Sequence, residues 1–464
     1  MARNKPITIG ECFIPAYAIK TIGSRHFLVA GGGGGARTGV RNEIMIFLLT
    51  YDQLTCETPG QARTLKAKLT GIIDTTEFAN MNMDVLALQP QSGKYLVAVG
   101  HDEKCTIYES VGFCIGDECQ SLSLQFRGVC RWETDFRNNN NKDPFQKRVK
   151  LFRRNTFIYV ACGGEEGHVR VWDTTRFPMQ YLRDAIDASD ELIDTNDALR
   201  VEDVDTGSPL VDISVGAAVV DLDVSASGDV LATIAGRNIV LWSVLNGKEL
   251  AALPVPNQLV NAEFRGLKFL NLDKKNRNEI LVCAFNQRKA QSRSVESFLA
   301  LYAFEKSKSK CHLIIVQKTC NEFISSLTAN ESGDFIAFGT MDGSVGVFDA
   351  HNMADGPAYL AHKCHSSFVT AVDFLPQRTY DASEWGRISA GDMLNGGSSQ
   401  AGHLFLPGVC SADARIAVLS ISVDNSIQMH QVGYPFKSSV SGSLVRLLVL
   451  FSFLYMLLWF LFLY

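Results

Sequence analysis

No Cys-x-x-Cys pair occurs in this chain, although twelve cysteines are scattered from Cys12 to Cys410. Isolated thiols exclude the paired-ligand zinc modules and suit a reducing compartment, where cysteines stay free and mostly buried. His362, Cys364 and His365 stand close together, but no second ligand cluster accompanies them, so spacing alone does not make a metal site. Positive charge is not in surplus either. The 44 Lys and Arg face 49 Asp and Glu, for a net charge of -5, which excludes a general nucleic-acid binder. No Gly-Lys-Ser/Thr ending closes the glycine-rich stretch near the N-terminus, so the Walker phosphate loop is excluded. No apolar segment comes after Arg3 and Lys5, so no secretory leader is read, and the formal glycosylation acceptor Asn330-Glu331-Ser332 is expected to go unused.

Charge is also missing from the far end. Leu444 to Tyr464 is apolar apart from Arg446 and Ser452. Twenty-one residues of helix reach about 31 Å, the thickness of a bilayer's hydrocarbon core. A buried globular helix would keep a polar face, and this segment has none. Arg446 suits one interface, and Trp459 and Tyr464 the other. The expectation is a single-pass C-terminal anchor, 444–464, joined by a linker, 437–443, to a cytoplasmic domain, 1–436. With 46% hydrophobic and 20% charged residues, that domain has ample core.

A repeat fills the domain. A strand ends in a turn of Ser, Gly, Asp or Asn, a second apolar strand comes next, then a Gly-rich turn and a third strand. Clear copies are Val85–Leu88, Tyr95–Gly100 and Cys105–Tyr108; Val219–Val224, Asp229–Thr233 and Ile239–Trp242; and Ile324–Leu327, Phe335–Gly339 and Ser344–Asp349. Thr156–Cys162 with His168–Asp173, a looser copy beginning at Val260–Phe264, and a last copy through Val369–Phe374, Arg415–Leu419 and Ser426–Met429 bring the total to six. The unit Ala16–Leu49 makes seven. Radial repetition of such units closes an all-β, seven-bladed β-propeller, with Pro6–Ile9 expected as the outer strand of the last blade. Two charged insertions interrupt the pattern. Arg137–Arg154 is basic and Asp184–Asp205 acidic, and both read as solvated loops, with an anionic membrane surface or acidic partner as the alternative for the first. Thr379–Gly402, rich in Gly and Ser, reads as a disordered loop in the last blade.

Inside the first unit lies Gly31-Gly32-Gly33-Gly34-Gly35-Ala36-Arg37-Thr38-Gly39-Val40-Arg41-Asn42. Five consecutive glycines destabilise a strand interior, and the connection far exceeds the two to five residues a hairpin needs. It is either a flexible loop without a task, a phosphate cradle, or a projecting loop that meets a partner or ion through its carbonyls and Asn42. The segment after it reads as a strand and not a helix, which argues against the cradle.

The repeat resembles the WD-repeat family. Val171-Trp172-Asp173 matches the signature ending, and Val347-Phe348-Asp349 does so more loosely. His365, four residues before Val369, falls where the family's Gly-His histidine falls, with Cys364 in place of the glycine. The resemblance implies that His365 bonds Asp424, and that Trp172, Asp173, Asp342, His365 and Asp424 are structural. Asp102 occupies the same turn position in its own repeat, and Glu166 replaces it in the third.

A first-blade loop of glycines, a basic residue, Gly, an aliphatic residue and then Asn, on a propeller with a C-terminal anchor, resembles the prolactin regulatory element-binding protein family. The resemblance covers nearly the whole chain. It implies a guanine-nucleotide exchange factor that activates a Sar-type small GTPase at the endoplasmic reticulum membrane and so starts COPII vesicle formation, without making or breaking a covalent bond. It further implies that Gly31, Gly32, Gly33, Gly34, Gly35, Arg37, Gly39, Val40 and Asn42 form the GTPase-binding loop. Asn42 would then be its catalytic residue, and a potassium ion would be held by Gly31–Gly35 and Asn42. The alternatives are a non-catalytic membrane-tethered scaffold and a transcription regulator, the latter disfavoured by acidic charge and the anchor.

Overall fold

The computed structural model describes residues 6–23, 25–35, 39–51, 65–90, 93–115, 122–137, 143–177, 201, 203–204, 207–273, 277–288, 294–376, 414–433 and 451. Among the described residues, twenty-eight strands form seven four-stranded antiparallel sheets arranged as the blades of a propeller. Blade one holds β2 (Ala16–Ile22), β3 (His26–Gly31), β4 (Glu43–Tyr51) and β5 (Leu65–Asp74), from the channel outward. Blade two holds β6 (Asn82–Gln89), β7 (Lys94–His101), β8 (Lys104–Ile115) and β9 (Leu122–Glu133). Blade three holds β10 (Gln146–Arg154), β11 (Phe157–Gly164), β12 (His168–Asp173) and β13 (Val211–Ser214). Blade four holds β14 (Val219–Val224), β15 (Val230–Ala235), β16 (Asn238–Ser243) and β17 (Glu249–Ala252). Blade five holds β18 (Glu263–Leu270), β19 (Asn278–Arg288), β20 (Val295–Glu305) and β21 (Lys310–Cys320). Blade six holds β22 (Ile324–Ala329), β23 (Phe335–Thr340), β24 (Val345–Asp349) and β25 (Tyr359–Ala361). Blade seven holds β26 (Val369–Leu375), β27 (Ala414–Ser422), β28 (Ser426–Gly433) and, from the other end of the chain, β1 (Ile7–Glu11).

The ring is therefore closed by the N-terminal strand expected for that role. β1 pairs with β28 from Ile7↔Met429 to Glu11↔Ser426, and Cys12 N–H donates to the Asn425 carbonyl at 2.7 Å. The middle strands of each blade are buried on both faces, because each sheet is sandwiched between two others; every residue of β3 and β23 is buried. Seven apolar clusters fill the seven inter-blade spaces. The one between blades seven and one joins Phe27, Phe47, Leu419 and Met429, with the two phenylalanine rings stacked 5.1 Å apart.

Two expectations are corrected. The basic stretch 146–154 is not a loop. It is β10, the innermost strand of blade three, where Arg148 and Lys150 pair with Asp221 and Asp223 of β14, the innermost strand of the next blade. Alternation turns Val149 and Leu151 into the core shared with blade two, and Arg148, Lys150 and Phe152 toward blade four, where Phe152 enters the core and the two cations meet carboxylates. The first strand of blade five starts at Glu263, while Val260 ends a short 3-10 turn and is exposed. The linker 437–443, the anchor 444–464 apart from Phe451, the loop 379–402 and most of the acidic stretch 184–205 lie outside the described residues. Among the described residues no helix is long and apolar enough to cross a membrane. Eight described cysteines are free, five of them buried.

Candidate functional site

In each blade the turn between the second and third strands and the link to the next blade emerge on one face of the ring. The glycine stretch joins β3 to β4 and so sits on that face, beside the link 75–81 that leads from blade one to blade two. Its first two glycines are required by crowding. A Cβ on Gly31 would stand 1.9 Å from the Pro15 carbonyl oxygen, and one on Gly32, at φ +144°, 2.1 Å from Asn42 Oδ1. Gly34 (φ +72°) and Gly39 (φ +77°) are required by conformation instead, since both have open space around them. Gly35, Gly39 and Val40 are exposed, Gly33 and Gly34 half-buried, and residues 36–38, Arg37 among them, lie outside the described residues. The loop thus starts pinned and then projects.

Asn42 is the pin. It is 4% exposed. Its Oδ1 accepts from Gly34 N–H at 2.9 Å, and its Nδ2 donates to the Thr76 carbonyl at 2.9 Å and the Gly34 carbonyl at 3.4 Å. A side chain so engaged shapes the loop and presents little of itself to a partner. Asn80 completes the mount. Its Nδ2 donates to the Gly31 carbonyl (3.1 Å), the Glu43 carbonyl (3.3 Å) and Thr75 Oγ1 (2.9 Å). Its Oδ1 meets His101 Nδ1 at 3.1 Å, and His101 Nε2 meets Thr106 Oγ1 at 2.5 Å. Burial, with Arg131 and Lys104 nearby, drives the His101 pKa down to about 3, so the ring is neutral and the loop is wired to blade two by uncharged groups. Sequence spacing does not reveal Asn80 or His101, which lie 38 and 59 positions from Asn42. A local signal exists only for Asn80, which precedes the first strand of blade two.

The donor set around the loop consists of neutral oxygens: backbone carbonyls and Asn42 Oδ1. A divalent ion wants carboxylates, whereas a monovalent cation is satisfied by carbonyls, so these residues fit potassium by type. The Gly31 carbonyl is already engaged by Asn80 and the Gly34 carbonyl by Asn42, which leaves those of Gly32, Gly33 and Gly35 as the freer donors.

The structural residues fall in blades three, six and seven. Trp172 is buried edge-on to Trp132 at 5.8 Å, and Asp173 caps a short turn through Thr175 N–H at 2.9 Å. Asp342 accepts from Thr340 Oγ1 at 2.6 Å and Ser344 N–H at 3.1 Å. Glu166, standing where other blades have Asp, pairs with Arg170 within its own blade. His365 and Asp424 approach to 3.4 Å, but shorter contacts relay between them: Ser426 Oγ lies 2.7 Å from His365 Nδ1 and donates to Asp424 at 2.6 Å. On its other side His365 Nε2 meets Ser420 Oγ (2.7 Å), which meets His430 Nε2 (2.8 Å), whose Nδ1 meets the Tyr359 hydroxyl (3.1 Å). Cys364, His365 and His430 lie within 4.8 Å of one another, while His362 is exposed. The imidazole nitrogens of both rings are engaged and Cys364 donates to the Gly343 carbonyl, so the group ties blade six to blade seven.

No family model matches the chain. The chain is 23% identical over 417 residues to the guanine nucleotide-exchange factor SEC12 of Rattus norvegicus, covering 82% of this chain and 85% of the relative. The Mus musculus SEC12 matches the same shares at 22% identity. Among solved structures, Sqt1 from Chaetomium thermophilum is similar at a TM-score of 0.51 and 11% identity, covering 94% of this chain and 87% of Sqt1. The same protein bound to the N-terminus of ribosomal protein L10 gives 0.50 and 13%, covering 93% and 88%. At that identity the structural likeness speaks for the propeller alone. The glycine loop on blade one and the sequence match to both SEC12 proteins fit the prolactin regulatory element-binding protein family.

Proposed function

We propose that this chain is a guanine-nucleotide exchange factor for a Sar-type small GTPase, working at the endoplasmic reticulum membrane in COPII vesicle formation. The observation that carries the reading is the mounted glycine loop, pinned by Asn42 and Asn80 and projecting from blade one, in a chain that matches SEC12 along 82% of its length. Gly33–Gly35, Arg37, Gly39 and Val40 form the part that meets the GTPase. Asn42 is a positioning residue, since its amide is spent within the loop. A potassium ion held by the carbonyls of Gly32–Gly35 and Asn42 Oδ1 would add fixed positive charge to that of the loop's arginines. Exchange needs no covalent step. The factor binds the nucleotide-free GTPase more tightly than the loaded one, and a thousandfold acceleration takes about 4 kcal/mol of that difference.

The test is release of labelled nucleotide from a Sar-type GTPase with the full chain in detergent. Acceleration is expected, faster in potassium than in sodium buffer. Asn42→Ala is expected to slow exchange at least about tenfold while the propeller stays folded, because the Gly34 and Thr76 bonds, roughly 1 kcal/mol each, hold the loop's exit angle. Binding of the GTPase without faster release would make the chain a membrane-tethered scaffold. Equal rates in the two buffers would remove potassium.

A further inference from the structure

We infer that the mouth of the central channel, on the glycine-loop face, is a binding site for a phosphate-class dianion held by Arg148, Arg265 and Lys268. The inference is independent of the exchange reading.

The channel encloses a cavity of about 540 Å³ lined by the innermost strands. Its deeper charges are two lysines among three aspartates. Lys20 pairs with Asp84 at 3.0 Å, and Lys150 with Asp223 at 3.1 Å and Asp84 at 3.6 Å. Asp373 accepts from the backbone and hydroxyl of Thr21, and at the opposite end Glu279 pairs with Lys306.

The mouth is different. Arg148, Asp221 and Arg265 each stand third in their strands, β10, β14 and β18, so they form one tier close to the glycine-loop face. Asp221 is the carboxylate that these cations share, and it is saturated. Its Oδ1 takes Arg148 Nε at 3.0 Å, and its Oδ2 takes Leu267 N–H at 3.0 Å and Lys268 Nζ at 3.4 Å. Arg265 reaches no carboxylate among the described residues. Its Nε and one terminal nitrogen both donate to the Ser325 carbonyl, which leaves the other terminal nitrogen without a bond among those residues. Burial, and then the Arg148 guanidinium beside it, hold the Arg265 pKa below its ordinary value. Three cations thus share one anion, an excess of two positive charges at the mouth, against one aspartate in excess deeper in the channel. A like-charge group of this kind is relieved by an anion with several oxygens, and guanidinium forks match phosphate oxygens in geometry. An anion centred in the cavity would accept from Arg265 and Lys268 without displacing the Arg148–Asp221 pair.

The test is thermal unfolding of the full chain in detergent, titrated with sodium phosphate and pyrophosphate against sodium chloride at matched ionic strength. Phosphate is expected to raise the midpoint by linkage and chloride not to. Arg265→Gln should weaken the apparent affinity about tenfold or more, and Asp221→Asn, which removes the competing carboxylate, should strengthen it. Two opposite shifts separate binding from a general loss of fold. Equal midpoints in phosphate and chloride, or a phosphate response unchanged by Arg265→Gln, would overturn the assignment. The headgroup inositol phosphate is the further arm. Tighter binding than pyrophosphate identifies a lipid headgroup as the source of the anion, and equal or weaker binding a free phosphate.

Discussion

A single geometric slot recurs at three residues and shows what one atom decides. In blade four Trp242 pairs with Leu231, and its indole N–H donates to Thr233, two residues on, at 2.8 Å. In blade seven His430 pairs with Val418, and Ser420, two residues on, fills the same role. In blade three Trp172 pairs with Val160, and the residue two on is Cys162. There the Trp172 N–H is buried without a partner among the described residues. A thiol is a weak acceptor, and a buried unbonded donor costs about 1–3 kcal/mol. Cys162→Thr has the right volume and supplies the oxygen, so it is expected to stabilise the propeller by about 1 kcal/mol. Chemical unfolding would register this as a higher denaturant midpoint with an unchanged slope. A lower midpoint would mean that the sulfur packing in that core matters more than the missing bond. The Val171-Trp172-Asp173 signature was legible from the sequence, but its orphaned donor was not, because the partner position is set by strand register.

Among the elements, β10 departs furthest from what its composition suggests. Seven basic residues between Arg137 and Arg154 look like a solvated run when only composition is weighed. The alternation of Arg148 and Lys150 with Val149 and Leu151 is a strand signal, and it serves an inner strand whose polar face meets other blades and not bulk water. Lys150 lies between Asp84 and Asp223, and their attraction outweighs burial and raises its pKa. Lys150→Met leaves Asp223 without a cation among the described residues and Asp84 with Lys20 alone. The expected cost is about 2–3 kcal/mol, at the low end for a buried pair because the Lys150 side chain keeps 29% exposure. A variant as stable as the parent at neutral pH would show that the channel ion pairs are solvated enough to be dispensable. The glycine loop behaves in the opposite way at this scale. Its place between two strands was legible because glycine runs and apolar strands are local features. Its mounting on Asn80 and His101 was not, because those contacts cross from blade one to blade two.

At the scale of the whole ring, stability should depend on pH through two neutral histidines. Burial drives the pKa of both His101 and His430 down to about 3, with Arg131 and Lys104 adding to it at His101 and the neighbouring His365 at His430. In the unfolded chain each titrates near 6.5. The unfolded state therefore binds more protons below that value, and the stability present above pH 6.5 is lost as pH falls from there toward 3. Each histidine contributes a slope of up to about 1.4 kcal/mol per pH unit in that window. Urea unfolding at stepped pH measures the slope, and His101→Gln should flatten it by one proton. An unflattened slope would show that His101 titrates in the folded ring.

Seven strand-turn units, their closure by Pro6–Ile9 and the glycine loop on blade one were determined by sequence alone. Burial between stacked sheets imposes a local period on every blade, and glycine and turn residues mark its ends. Which charges meet in the channel was decided only by tertiary structure. Asp84 and Lys150 are 66 positions apart, Arg148 and Asp221 73, and Thr21 and Asp373 352. Nothing local relates such residues. They meet because closing a seven-bladed ring brings the inner strands, and the two ends of the chain, around one axis.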